Sequence, residues 1–349
     1  MRNQHRRRSS ELTFSALSEG MQVVEGEELC FPESNNSCKK TIYSNSVDVT
    51  FYITLSCVSF LTVLLNLLII VSISHFRQLH TTTNLLLLSL AVADLLVGLL
   101  LMPLQLVNTS GCWYLGTFVC AMFFYLSFIL TSSSVGIMVL ISIDRYVAIC
   151  DPLGYPRKIT LKRVRVSVCL CWSCSVLYNG AMLHDILENP DMLDSCYGEC
   201  LFLVDFVSGA VDLGLTFFGP ITVIVVLYMR VFVVAVSQAR AMRSHITAVS
   251  VQGSFRVTAK KSEIKAARTL GVLVVVFLMC FSPYFFTSFT ATTESSNTVL
   301  LFFGTWFLYC NSCINPIIYA FFYPWFRKAI KLIVSLHILQ PDSCDTRIL

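Results

Sequence analysis

Three carboxylates stand where a carboxylate is costly. Between Gln78 and Ile143 the only acidic or basic side chain besides His80 is Asp94. That apolar run ends in an adjacent acid and base, Asp144-Arg145, followed by Tyr146. From Phe206 to Met229 the only charge is Asp212. An ionisable group inside an apolar helix of membrane length must be paired, face a cavity or do work. Asp94 has Asn66, Ser134, Asn311, Ser312 and Asn315 as partners at matching depth. One carboxylate among amide and hydroxyl oxygens suits a hard cation such as sodium, and equally an ion-free hydrogen-bonded cluster. Arg145 bonded to both Asp144 and Glu263 would tie the third span to the sixth. Breaking that tie would open a groove to a partner, a two-state arrangement of rigid bodies.

Asp212 has no internal counter-ion, because no Lys or Arg occurs in 78–144, 166–229 or 269–326. That points to an external cation. Asp205 lies about two turns farther out, at the pocket mouth. Phe124, Tyr125, Phe128, Phe281, Tyr284, Phe285, Trp306 and Tyr309 fall at the same level. Singly they read as core packing. As a set around a carboxylate they form an ammonium cage, joining an ion pair to cation–π contacts. Catalysis is not indicated: metal-ligand spacing, a phosphate-cradling glycine loop and a nucleophile–base pair are missing, and the six His are scattered.

These groups need a membrane scaffold. Of the 349 residues 55% are hydrophobic and 13% charged, against about 25% charged in soluble domains. The expected fold class is an all-α membrane protein, a seven-transmembrane helical bundle with a short amphipathic helix after span 7. The spans fall at 47–74, 84–107, 115–150, 163–183, 201–239, 261–291 and 298–322, and the amphipathic helix at 324–336. Residues 1–46 form a polar tail with little order beyond its Cys, 47–323 the bundle, and 324–349 the surface helix and a short cytoplasmic tail. Beyond residue 40 the Lys and Arg gather at Arg77, 145–165, 230–268 and 327–347. The positive-inside rule makes those segments cytoplasmic and places the N-terminus outside. No signal-peptide apolar region precedes the first span, which then serves as an uncleaved anchor.

Cys30, Cys38, Cys112, Cys120, Cys196 and Cys200 lie on the oxidising side, where disulfides are expected; spacing does not choose their pairing. Asn35-Asn36-Ser37 is a glycosylation sequon.

Asn66, Leu90-Ala91-Val92-Ala93-Asp94, Cys120, Asp144-Arg145-Tyr146, Trp172, Pro220 with Tyr228, Phe277 through Pro283-Tyr284-Phe285, and Asn315-Pro316-Ile317-Ile318-Tyr319 resemble the rhodopsin-like G-protein-coupled receptors over about 48–336. Asn311-Ser312-Cys313-Ile314-Asn315-Pro316, the stretch Tyr319 to Ala329 and the stretch Lys261 to Gly271 are similar to the trace amine-associated receptors. The resemblance implies disulfides Cys120–Cys200 and Cys38–Cys196. It also implies a switch built from Asp144, Arg145, Tyr146, Glu263, Tyr228, Asn315, Pro316 and Tyr319, and a plasma-membrane receptor for a small amine. The implied partner is a heterotrimeric G protein of the stimulatory, olfactory type, raising cyclic AMP.

Two departures qualify it. Aminergic relatives carry Asp eighteen residues before the Arg of the Asp-Arg-Tyr motif, and here that position is Ser127, about 27 Å from Arg145 along the helix. Asp212 is the replacement, as in a fish-expanded branch with its amine-binding Asp on helix 5. Phe281 stands where most relatives carry Trp. The expected ligand contacts are therefore Asp212, Asp205, Ser127, Phe128, Phe281, Tyr284, Phe285, Trp306 and Tyr309, and a diamine could use both acids. The alternatives are a receptor for a non-amine ligand, a constitutively active one, or a transporter or channel. Against the last, neither repeat symmetry nor a path of intramembrane charges is visible.

Overall fold

Backbone amides in hydrocarbon have no water to bond, so an apolar run of membrane length closes its hydrogen bonds within itself as a helix. The computed structural model describes residues 24–33, 36–42, 45–189, 196–202, 206–246, 271–287, 297–340, 343–346 and 348. Five helices among the described residues are long and apolar enough to cross a membrane. They are α1 (Asn45–His75), α2 (Thr82–Thr109), α3 (Gly116–Cys150), α5 (206–246) and α7 (Asn297–Phe322). Two more join them: α4 (Leu161–Met182), with Lys162, Arg163 and Arg165 in its first turns, and α6, described over Gly271–Thr287. The amphipathic α8 (Pro324–Val334) follows. It buries Trp325, Phe326 and Ala329, while Arg327 caps α7 by donating to the Ala320 and Phe321 carbonyls at 2.8 and 3.0 Å.

The bundle has an apolar core with polar residues set inside it, and apolar residues also cover its outer face. Asn66 and Asp94 are inside, 0% and 1% exposed, while Leu177 and Phe321 face outward at 73% and 75%. Cross-helix hydrogen bonds knit the interior, as in Trp172 Nε1 to Ser89 Oγ (3.0 Å) and Asn179 Nδ2 to Ser132 Oγ (2.9 Å). Two helices loosen to a π turn just before a proline, at Val97–Leu101 before Pro103 and at Leu213–Phe218 before Pro220. The widened turn re-bonds carbonyls that the ring nitrogen cannot serve.

The tail departs from the expectation of little order. β1 (Val24–Leu29) pairs antiparallel with β2 (Lys39–Ile42). Beyond Cys120–Cys200 and Cys38–Cys196, a third disulfide joins Cys30 to Cys112. The strap is also held by Cys38 N to the Tyr197 carbonyl (3.0 Å) and Tyr197 N to the Asn36 carbonyl (2.7 Å). Gly198, at φ +106°, allows the close approach: a Cβ there would sit 2.9 Å from Cys30 Cβ. His184–Glu188 adds one helical turn to the acidic loop.

Helices α1 and α2 meet at Gly98, whose carbonyl accepts from Ser59 Oγ at 2.8 Å. A Cβ at residue 98 would lie 2.8 Å from Thr62 Cγ2. Gly98→Leu should therefore destabilise the purified protein by about 1–3 kcal/mol through overpacking, read as a lower Tm. Leu99→Ala, on an exposed neighbour, should leave Tm unchanged.

Candidate functional site

Asp212 ends the first α-helical stretch of α5, immediately before the π turn, and is buried. Its Oδ1 accepts from the Tyr178 hydroxyl of α4 at 3.3 Å, and its backbone carbonyl from Thr216 Oγ1 at 2.7 Å. Among the described residues no Lys or Arg pairs with it. Tyr178 escaped the sequence reading because a Tyr on an apolar helix looks like packing; only the helix pairing reveals its partner. Asp205 lies outside the described residues.

The aromatic residues form connected groups on different walls. Phe124 and Phe128 of α3 meet Phe202 at 5.6 and 6.1 Å. The placement follows from Cys120–Cys200, which pins the loop over α3 two residues before Phe202. Phe285 of α6 stacks on Phe217 of the π turn at 4.4 Å and meets Tyr284 at 5.4 Å. Phe281 lies one turn deeper against Phe277 at 4.0 Å. On α7, Trp306 and Tyr309 pack edge to face at 6.2 Å. Tyr125 turns instead to α4, donating to the Val176 carbonyl at 3.3 Å. Phe202 and Phe217 were not singled out in sequence; the disulfide and the π turn place them.

Ser127 is engaged. Its Oγ is 3.1 Å from the Tyr309 hydroxyl, joining α3 to α7 through two neutral groups. The α3 wall thus carries no charge at this level, and Asp212 on α5 supplies the carboxylate.

At the other end, Asp144 is nearly fully buried and crowded with donors. Arg145 Nε and Nη2 reach its Oδ2 at 3.0 and 2.5 Å. Thr83 Oγ1 of α2 donates to Oδ2 at 2.8 Å, and the Tyr155 hydroxyl to Oδ1 at 2.8 Å. Thr82 Oγ1 is 2.9 Å from the same phenol, and Arg145 also contacts Thr83 Oγ1. Burial raises the Tyr155 phenol above its ordinary pKa, so it stays a donor at neutral pH. Tyr155 rides on one helical turn, Tyr155–Lys158, organised by Asp151. The Asp151 carboxylate takes Lys158 at 2.9 Å and the Gly154 N–H at 3.0 Å, which together hold its pKa below the usual value. This support is present above the ordinary carboxylate pKa and fades as pH falls through the lower folded value.

Glu263 lies outside the described residues, so the tie seen for Asp144-Arg145 runs to α2 and the loop. Thr82, Thr83 and Tyr155 were missed because single hydroxyls at the ends of helices carry no periodic signal. Tyr146 packs beside Ile149, Val231 and Val234 where α3 meets α5. Tyr228 sets its hydroxyl against Gly271 of α6, leaving no room for a side chain there.

Asp94 is met from α7 by Ser312 Oγ at 2.7 Å and Asn315 Nδ2 at 3.0 Å, one residue before Pro316. Asn66 Nδ2 spans α1 to α7 through the Thr62 and Ser312 carbonyls at 2.9 and 3.0 Å. Ser134 is buried but is not among the Asp94 partners. Asn66 Oδ1, Ser133 Oγ, Asn311 Oδ1 and the Tyr319 hydroxyl are buried without a protein hydrogen bond. Residues Cys38, Cys196 and Glu199 also cluster, but both thiols are spent in a disulfide. Asn35 lies outside the described residues.

Residues 65–319 match the family model for the seven-transmembrane receptors of the rhodopsin family. The chain is 38% identical over 334 residues to trace amine-associated receptor 13c of Danio rerio, covering 93% of this chain and 97% of the relative. It is 36% identical over 333 residues to trace amine-associated receptor 1 of Mus musculus, covering 92% and 99%. With trace amine-associated receptor 5 of Rattus norvegicus it shares 38% over 317 residues, covering 88% and 92%.

The Asp144 cluster predicts a coupling between two hydroxyls. Thr83→Val and Tyr155→Phe each remove a hydrogen bond to a buried charge and should cost about 1.5–3 kcal/mol. Because both serve one carboxylate, a double-mutant cycle on thermal or denaturant unfolding should deviate from additivity by more than about 0.5 kcal/mol. An additive cycle would mean that the two hydroxyls act separately.

Proposed function

This chain belongs to the trace amine-associated receptors of the rhodopsin family, multi-pass membrane proteins that are receptors rather than enzymes, and we propose that it detects a protonated amine through Asp212. The observation that carries the reading is a buried carboxylate beside the neutral hydroxyls of Tyr178 and Thr216, in a wall without basic side chains. An ammonium there would complete the pairing that Tyr178 begins, and Phe128, Phe281, Tyr284, Phe285, Trp306 and Tyr309 offer apolar and cation–π contact. The position of the acid on helix 5 supports assignment to the fish-expanded branch. Asp205 is proposed as a second anchor for a diamine.

In this proposal the strapped, acidic end faces outward at the plasma membrane, with Asn35 glycosylated, and the cell is an olfactory neuron. Binding favours a state in which the Asp144-Arg145 cluster and Glu263 release α6. Tyr146, Tyr228, Asn315, Pro316 and Tyr319 move with it, and a stimulatory G protein docks and raises cyclic AMP. Sodium is proposed near Asp94 with Ser134, Asn311, Ser312 and Asn315, where the buried amide oxygens of Asn66 and Asn311 lack protein donors and suit a hard cation. Asn315 and Ser312 would orient the carboxylate; the ion would favour the resting bundle.

The neutral Ser127–Tyr309 pair favours one rival, a receptor of the same family for a non-amine ligand. Asp212→Asn should abolish the cyclic-AMP response to an amine panel while surface expression persists. N-acylated, uncharged analogues should be inactive, and activation should follow the protonated fraction of the amine as pH rises. An N-acylated agonist of full potency would establish the rival. Asp94→Asn should remove any dependence of agonist potency on sodium against potassium; a dependence that survives would place the ion elsewhere.

A further inference from the structure

The segment beyond α8 returns to the bundle and binds the corner between α1 and α2. That corner is the turn Arg77–Leu79, with His75 closing α1 before it. Ser343 Oγ lies 2.9 Å from His75 Nε2. Asp345 takes Arg77 Nη1 at 3.4 Å, and its backbone carbonyl accepts from Gln78 Nε2 at 3.4 Å. The Ile348 N–H donates to Gln78 Oε1 at 3.1 Å. Ile348 itself is 3% exposed and joins the main apolar core, which also holds Phe76 and Leu79.

These contacts have the form of peptide recognition. Gln78 reads a carbonyl and an N–H of the segment, which any residues would supply. Arg77 reads an acid, and the core reads an apolar side chain three residues later. The exposed ion pair, at 70% and 58%, sets register more than strength; the buried Ile348 supplies the hold. Covalent attachment through α8 raises the effective concentration of the segment, so modest contacts suffice.

We propose that the α1–α2 corner is a docking site for an acidic-x-x-apolar peptide, and that the described residues 343–346 and 348 of this chain belong to its resident occupant. Occupancy bears on the switch. Leu79 anchors Asn84 Nδ2 through its carbonyl at 2.9 Å, and Thr81 N bonds the same carbonyl at 2.8 Å. Thr82 and Thr83, between them, hold Tyr155 and Asp144. A docked segment therefore stiffens the corner that presents donors to Asp144 and restrains release of Arg145. The restraint rests on the receptor reading; the docking does not.

The test uses receptor lacking residues 341–349 in nanodiscs and a fluorescent peptide of residues 337–349. The peptide should bind saturably. Arg77→Glu in the receptor should weaken binding about threefold, and an Asp345→Arg peptide should recover it. An Ile348→Asp peptide should bind at least tenfold more weakly to either receptor. Binding indifferent to Arg77 and Ile348 would overturn the site, whatever the receptor signals through. In cells, full-length Arg77→Glu and the 341–349 deletion should each raise basal signalling about twofold at equal surface expression. The Arg77→Glu, Asp345→Arg pair should return it to the wild-type level. Unchanged basal signalling in an agonist-responsive receptor would overturn the restraint.

Discussion

A carboxylate surrounded by hydrocarbon must find its hydrogen-bond donors inside the protein, and this requirement organises the bundle. Burying an unpaired charge costs far more than any single packing contact returns. Each intramembrane Asp is therefore a tie between helices. Asp94 draws α7 onto α2 through Ser312 and Asn315. Asp144 draws α2 and the following loop onto α3 through Thr83 and Tyr155. Asp212 joins α5 to α4 through Tyr178. The ties differ in completeness. Among the described residues Asp144 has several donors including a guanidinium, whereas Asp212 has only the neutral hydroxyls of Tyr178 and Thr216 beside it. A phenol does not neutralise a charge, and the proposed amine site rests on that incomplete pairing.

The other long-range constraint is covalent. Three disulfides converge on the end that carries Asp212, and two of them strap the tail. Their effect on the site is positional. Cys120–Cys200 fixes where the loop crosses α3, and Phe202 is thereby set over Phe124 and Phe128. The π turn in α5 acts similarly, bringing Phe217 against Phe285 just beyond Asp212. Site residues thus come from a scaffold defined at both ends, with the aromatic contacts following from it.

Much of this was legible in the sequence because two signals are strong. Charge-free runs of membrane length mark helices, and an isolated Asp within one marks a site. Asn66, Ser134, Asn311, Ser312 and Asn315 were grouped with Asp94 by depth alone; hydrogen bonds join Asn66, Ser312 and Asn315 to that cluster, and Ser134 and Asn311 make none with Asp94. Other features leave no such trace. Whether Tyr178 packs or donates depends on which face of α4 meets α5, and periodicity does not report that. Thr83 and Tyr155 are 72 residues apart in a sequence where hydroxyls are common. The π turns were visible only as the prolines that follow them. Cys30 and Cys112 were recognisable as oxidisable, yet six thiols allow fifteen pairings, and the resemblance supplied two bonds.

The neutral Ser127–Tyr309 pair connects these points. An acid at the Ser127 position would let a ligand cation load the helix that also carries Asp144-Arg145. Here the α3 wall is closed by two hydroxyls, and the available charge sits on α5 beside a π turn. If Asp212 takes the ligand as proposed, the load would enter through a helix whose hydrogen-bond ladder is already widened to a π turn at that point. Its route inward runs through Phe217 against Phe285 and then along α6 to Phe281 and Phe277. At the inner end Tyr228 of α5 abuts Gly271 of α6, so the two helices cannot slide there without moving together. In the proposed reading, an acid on α5 rather than α3 would leave the Asp144-Arg145 cluster in place and change the helix pair that acts on it.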